Sequence, residues 1–197
     1  ITKNGGTATP NFDSVATMDG GQSIVQTALD QYGTLDIVVA CAGNARNKMI
    51  YEMTEDEWDD VIRVHLKGTF TVVKHACVHF RQQRSGRIIT ITSEGGLGAA
   101  IDHANYGAAK SGIAGLTKVV ARDMGRYGVT ANSIAPRAST RMIATVPDTA
   151  RQMREQRGVP SGESTPQAST MDPEDIAPFV CYLPSDRAAN ITGRTFL

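Results

Sequence analysis

The sequence predicts an α/β fold, a doubly wound parallel sheet with helices on both faces, and three observations carry that prediction. The short apolar runs "LDIVVA", "RIITIT" and "VTANSI" have the length of strands and are too short for helices. Stretches of ten residues or more with helical spacing lie between them, the separation that a crossover between parallel strands needs. The runs are continuously apolar rather than alternating, which is the pattern of strands covered on both sides.

Taken in order, Ile24, Val25, Ala28, Leu29 and Tyr32 recur at helical spacing, and Gly33 stands where a left-handed C-cap is wanted. Leu35 to Ala40 comes next as a strand expected to be covered on both faces. Thr54 with Glu57 three residues on makes a capping box, and the stripe Val61, Ile62, Leu66, Phe70, Val73 and Phe80 carries a long helix toward Gly86. "RIITIT" is the next strand. From about Asn105 to Tyr127 the pattern is helical and rich in alanine and glycine, which allows close packing. "VTANSIAP" supplies another strand, ended by Pro136. Arg137 to Met171 is polar, long and weakly periodic, the character of a substrate lid rather than of a packing element. Asp172, Pro173, Glu174 and Asp175 read as a helix start with a cap, an N1 proline and acidic residues at the positive dipole end. "NITGRTFL" closes the chain as a last strand. No internal repeat or second domain interrupts this order, so residues 1–197 read as one domain.

Composition removes several function classes. With 197 residues and 41% hydrophobic content the chain can bury a sizeable core. Twenty lysines and arginines balance twenty aspartates and glutamates, leaving no basic field for nucleic acid. Cys41, Cys77 and Cys181 are odd in number, far apart and without metal-type spacing, so they read as reduced thiols of a cytoplasmic protein with no metal site. No apolar run approaches the roughly 18 residues of a membrane span, and "ITKNGGTATP" has neither the basic nor the apolar region of a signal peptide. The chain begins without methionine in what reads as the tail of a helix, so further residues are expected upstream.

Ligands of open α/β sheets sit beyond the carboxyl ends of the strands. Ala42 and Gly43 end the first strand, Thr92 and Ser93 the next and Pro136 the third, while Asp13 stands after the short "ATPNF" run. Tyr106 and Lys110 are four residues apart on a helix, so both side chains emerge on one face. The spacing alone also fits a tyrosine packed on a lysine stem. A phenol has a reference pKa of about 10, and a nearby ammonium stabilises its ionised form, so a lysine at this spacing suits a tyrosine acid/base. A serine hydroxyl beside them can hydrogen-bond an oxygen on which charge develops.

Ser93, twelve intervening residues and then "YGAAK" resemble the Ser and Tyr-x-x-x-Lys site of the short-chain dehydrogenases/reductases. "CAG" after a strand resembles that family's Asn-Asn-Ala-Gly, "NSIAP" its Asn-x-Ile-x-Pro-Gly, and "SDRAANITG" its usual C-terminal segment. The resemblance implies a Rossmann-like sheet and hydride transfer between NAD(H) or NADP(H), not distinguishable here, and a small-molecule secondary alcohol or ketone. It implies that Tyr106 is the acid/base, that Lys110 binds the nicotinamide ribose and lowers the phenol's pKa, and that Ser93 orients the carbonyl. It places Asp13, with Ser14 and Val15, at the adenine, although Asp13 also suits a helix N-cap. It assigns Cys41, Ala42, Gly43, Pro136, Arg137 and Thr140 to the cofactor side, and a dimer or tetramer built on the helices holding Trp58 to Phe80 and Tyr106 to Tyr127.

Four departures qualify the match. His65, in "VHLKGTF", stands where the family has a catalytic asparagine that kinks the helix, so the proton relay is expected to be altered rather than absent. This variant, with "FDSVATMDGG", resembles the hydroxyacyl-CoA dehydrogenase part of multifunctional β-oxidation enzymes and shifts the substrate toward 3-hydroxyacyl thioesters or other bulky alcohols. Arg137 replaces the glycine after Pro136, where it could meet a phosphate, and Thr140 comes one residue early. The glycine-rich turn that seats pyrophosphate on a helix N-terminus, with its strand-helix-strand unit, is expected before Ile1. The competing reading is a non-catalytic relative or fragment that acts as an assembly partner.

Overall fold

The computed structural model describes residues 1–98, 100–138 and 172–197. Helix α1 spans Met18–Tyr32, capped by the Thr17 side chain, which accepts from the Gly20 N–H, and closed by Gly33 at φ 76°. It begins before the periodic stretch because Gly20 and Gly21 are packing residues and not breakers. A Cβ on Gly21 would lie 2.7 Å from the Thr71 Cβ, so this turn lies flat against the next helix layer. Strand β1 (Ile37–Ala40) leads to α2 (Glu55–Ile62), which opens with the expected capping box of Thr54 and Glu57.

A π turn, Arg63–Lys67, joins α2 to α3 (Gly68–Gln83). Such a turn holds one more residue than an α turn, so beyond it the positions that face the core are shifted by one residue. Buried positions therefore run Val61, His65, Thr69, Val73, Ala76 and Phe80, and Phe70, which a regular helix would place on the buried stripe, is 43% exposed. Next come strand β2 (Gly86–Ile91), the short α4 (Glu94–Leu97), α5 (Ala104–Gly125) and β3 (Val129–Ile134). After the undescribed stretch, Asp172 caps a 3-10 turn, Pro173–Ile176, that runs into α6 (Ala177–Tyr182), and β4 (Thr195–Phe196) ends the chain.

All four strands are parallel, in the order β1-β2-β3-β4. Register pairs Val38 with Ile88, Ile88 with Ala131 and Ser133 with Thr195. Consecutive strand residues face opposite sides, so Ile88 joins one core and Ile89 the other. On one side Ile88 meets Val25 of α1, Val73, Ala76 and Phe80 of α3, and Met124 of α5. On the other Ile89 and Ile134 meet Leu183, Phe179 and Phe196. Helices thus lie on both faces, as the crossover pattern requires.

One expectation is not met. β1 is not covered on both sides: Val38 is buried, while Ile37 and Val39 are each 46% exposed. Among the described residues β1 has one neighbouring strand, β2, and one covered face.

Candidate active site

The carboxyl ends of β1, β2 and β3 deliver most of the candidate residues to one edge. Leaving β2, the chain passes Thr92 to Ser93, whose Oγ accepts from the Gly95 N–H at 3.2 Å and caps α4. Helix α5 is stitched along β2 by two threonines. Thr92 Oγ1 donates to the Lys110 carbonyl at 2.7 Å, and the Thr90 and Thr117 hydroxyls share a bond of 2.7 Å. The first turn of α5 is fixed by the buried Asn105, whose Nδ2 donates to the Arg46 and Glu57 carbonyls at 3.0 and 2.9 Å while its Oδ1 accepts from the Tyr106 N–H.

Held this way, Tyr106 and Lys110 share one face. Lys110 Nζ lies 5.5 Å from the Tyr106 ring centroid and donates to the Ile91 carbonyl at 2.7 Å. Lys110 is only 5% exposed. Burial of its ammonium lowers the pKa to about 8, with the neighbouring Cys41 sulfur acting in the opposite direction. Burial raises the Tyr106 pKa above the usual phenol value, the Ser93 hydroxyl beside it pulls the other way, and Cys41 adds to the rise. In this state burial, and not the ammonium, sets the net direction for the phenol.

His65 sits in the middle of the π turn and is buried. Its Nε2 lies 2.7 Å from the Asn44 carbonyl and 3.0 Å from the Asn44 N–H, so either neutral tautomer is held by the chain that leaves β1. The approach is close enough to require Gly43, where a Cβ would come within 2.4 Å of the His65 Cε1. Burial, opposed by the Asn44 bond and assisted by Lys110, pushes the His65 pKa down to about 4. The neutral ring meets Tyr106 edge-on, with centroids 5.2 Å apart at 83°.

The other candidates divide. Cys41 and Ala42 come directly after β1, and Cys41 is near enough to influence Lys110 and Tyr106. Pro136 stands just beyond β3. Arg137 meets not a free anion but Glu94, with Nε donating to Oε2 at 2.6 Å and Nη2 to Oε1. That pair ties the end of β3 to the residue after Ser93 and holds the Glu94 carboxyl below its usual range. Asp13 makes its contact on α1, Val15 on α3, and Ser14 in the turn before α1. The Asp13 carboxylate accepts from Ser23 Oγ, Ser14 Oγ accepts from the Ala16 N–H, and the Val15 carbonyl accepts from Thr71 Oγ1 at 2.7 Å. Thr17 rather than Asp13 caps α1. Thr140 and the rest of the predicted lid, residues 139–171, lie outside the described residues.

Asn105 and His103 belong to the site and carry no signal in the sequence pattern, while Thr92, placed at the strand end by the sequence, anchors α5. Asn105 directly precedes the tyrosine, and Thr92 directly precedes the serine, but adjacency alone does not separate an anchoring residue from an ordinary helix or strand residue. Among the described residues no helix is long and apolar enough to cross a membrane.

A sequence family described as Enoyl-(Acyl carrier protein) reductase matches residues 6–197. The parallel α/β sheet carrying a serine at a strand end and a Tyr-x-x-x-Lys helix defines the class, and the chain belongs to the short-chain dehydrogenase/reductase family. Within it, the chain is similar to a short-chain type dehydrogenase/reductase of Mycobacterium tuberculosis, 37% identical over 191 residues, covering 96% of this chain and 61% of that protein. It is 39% identical over 173 residues to the hydroxyacyl-CoA dehydrogenase ChsB1 of the same organism, covering 84% of this chain and 51% of that one. It is 37% identical over 184 residues to the 3-oxoacyl-[acyl-carrier-protein] reductase FabG of Staphylococcus aureus, covering 92% and 72%. A crystal structure of a short chain dehydrogenase from Mycobacterium avium superposes with a TM-score of 0.81 at 36% identity, covering all of this chain and 62% of that one. The chain thus spans between half and two thirds of the length of the mycobacterial proteins it resembles.

Proposed function

We propose that the intact protein is an NAD(P)-dependent oxidoreductase that interconverts secondary alcohols and ketones, with 3-hydroxyacyl and 3-oxoacyl thioesters as its substrate class. The observation that carries this reading is the convergence of Ser93, Tyr106, Lys110 and His65 at one sheet edge. The substrate class is supported by the names of the relatives, a hydroxyacyl-CoA dehydrogenase and a 3-oxoacyl reductase.

The donor set suits a nicotinamide riboside: a buried ammonium with N–H groups beyond the one given to Ile91, beside an exposed stretch at Cys41 at the end of β1. The chemistry such a group supplies when bound is hydride donation or acceptance at the substrate carbon, from either NAD(H) or NADP(H). Lys110 would hold its ribose, with Cys41, Ala42, Gly43, Pro136, Arg137 and Thr140 around it and Asp13, Ser14 and Val15 toward the adenine. In the reducing direction Tyr106 gives its phenolic proton to the carbonyl oxygen as negative charge develops there, and Ser93 donates a hydrogen bond to the same oxygen. The Lys110 ammonium stabilises the phenolate that remains. His65, neutral at ordinary pH, keeps the β1 loop and the π turn together and takes no proton itself.

A cytoplasmic homo-oligomer completes the reading, since Trp58, Phe70, Val78 and Val119 lie exposed on α2, α3 and α5. The decisive experiment is Tyr106→Phe in the intact protein. Turnover of a 3-oxoacyl thioester should fall by at least about a hundredfold while the melting temperature stays put. Retained turnover would sink the assignment, and failure of the unmutated protein to bind either NADH or NADPH in a calorimetric titration would favour the assembly-partner reading.

A further inference from the structure

Tyr106 has a second imidazole against it. His103, the N-cap residue of α5, lies with its ring centroid 5.7 Å from that of Tyr106 at 80°. His65 approaches the same ring from 5.2 Å at 83°. Both are edge-to-face pairs of the kind aromatic quadrupoles favour. The phenol ring is therefore in contact with two imidazoles that come from different elements, the π turn and the turn that opens α5.

His103 is not free to rotate. Its Nδ1 donates to the Ile101 carbonyl at 2.7 Å and to the Asp102 carboxylate. Asp102 is in turn fixed: it is buried, its backbone is left-handed at φ 61°, and its carbonyl accepts from the Lys48 N–H at 3.0 Å. The other carboxylate oxygen, Oδ2, is buried and has no hydrogen-bond partner among the described residues, so the only side chain found to engage this carboxylate is the imidazole of His103. Burying a carboxylate is unfavourable, and a left-handed backbone favours glycine over aspartate. A turn built only for stability would have neither feature.

We propose that Asp102 and His103 are positioning residues for Tyr106. The carboxylate fixes the plane of the His103 ring, and that ring, together with His65, holds the phenol in the orientation that serves Ser93 and the substrate oxygen. This rests on the activity proposed above. No proton passes through His103, which acts by its edge.

The test uses the intact protein, acetoacetyl-coenzyme A as the probe, and NADH or NADPH as the reductant. His103→Ala should lower kcat by about tenfold, the scale on which small misplacements of reacting groups act, and leave KM within about twofold. His103→Phe, which keeps the ring edge, should recover most of kcat, and His103→Gln, which keeps polarity without a ring, should not. Asp102→Gly suits the left-handed turn, so it should fold and still reproduce the kcat loss. Recovery by Gln and not by Phe, or a rise in KM alone, would mean that His103 meets the substrate and would overturn the proposal. A second readout needs no turnover: in protein labelled at tyrosine and histidine, cross-relaxation between the Tyr106 and His103 rings should be present and should vanish in Asp102→Gly. Its absence from the unmutated protein refutes the ring contact. If the unmutated protein leaves the probe unchanged while the cross-peaks behave as expected, the proposed activity on this substrate class fails and the ring contact stands.

Discussion

β1 and β3 are both short apolar strands of one sheet, yet their surroundings differ. All six residues of β3 are buried between β2 and β4 and under α5, whereas β1 buries Val38 and leaves Ile37 and Val39 half open. The chemistry divides along the same line. Lys110 and Tyr106 lie against the closed part, where desolvation moves the pKa values of both. Cys41, at the end of β1, stays exposed.

Ile134→Ala in β3 should show the largest effect, a loss of roughly 2–5 kcal/mol, because it truncates a large side chain in a packed site. A shift in denaturant midpoint at constant slope is the measurement. Somewhat smaller effects come from pH. Folded Lys110 titrates near 8 against a reference of 10.5, so between those values the unfolded chain keeps a proton that the folded chain has lost, and stability rises with pH across that window. Folded His65 titrates near 4 against 6.5, so the unfolded chain takes up the proton first and stability is lost as pH falls from 6.5 toward 4. Each limb is on the order of 3 kcal/mol. Lys110→Met should flatten the first and His65→Asn the second in denaturant titrations across pH, and unchanged limbs would mean that these groups are not dry.

Gly43→Ala joins the two regions, since its methyl would press on His65 from the β1 loop. It should cost about 1–3 kcal/mol and raise the His65 pKa as the ring is pushed out of its dry site, measurable by proton NMR titration. Ile37→Ala should be smallest, under about 1 kcal/mol, because half of that side chain is already in water. A loss as large as that of Ile134→Ala would erase the contrast between the strands.

Much of this was legible in the residues because the signals were local. Thr54 and Glu57 satisfy each other within one turn, and Tyr106 and Lys110 share a helix face by spacing alone. What stayed hidden depends on partners distant in sequence. The openness of β1 follows from what lies beside it among the described residues and not from "IVVA". The packing role of Gly21 exists only once Thr71, far along the chain, is placed against it. Asn105 reads as an ordinary helix-start polar residue until the Arg46 and Glu57 carbonyls arrive beside it. Asp102 and His103 carry no motif, and their relation to Tyr106 exists only once the turn has folded.

The π turn has a further consequence for how this helix can change length. Along one face from Val61 to Phe80, the buried residues Val61, His65, Thr69, Val73, Ala76 and Phe80 are spaced four, four, four, three and four apart, one residue longer than a regular helix would use. Loss of a single residue just after His65 would let the backbone relax into an uninterrupted α-helix, and α3 would keep its seat on the sheet. The part upstream would keep its face as well, since five regular turns hold about 18 residues and the same positions would then span that number. The surplus residue is thus dispensable to the faces that the helix presents on either side of His65.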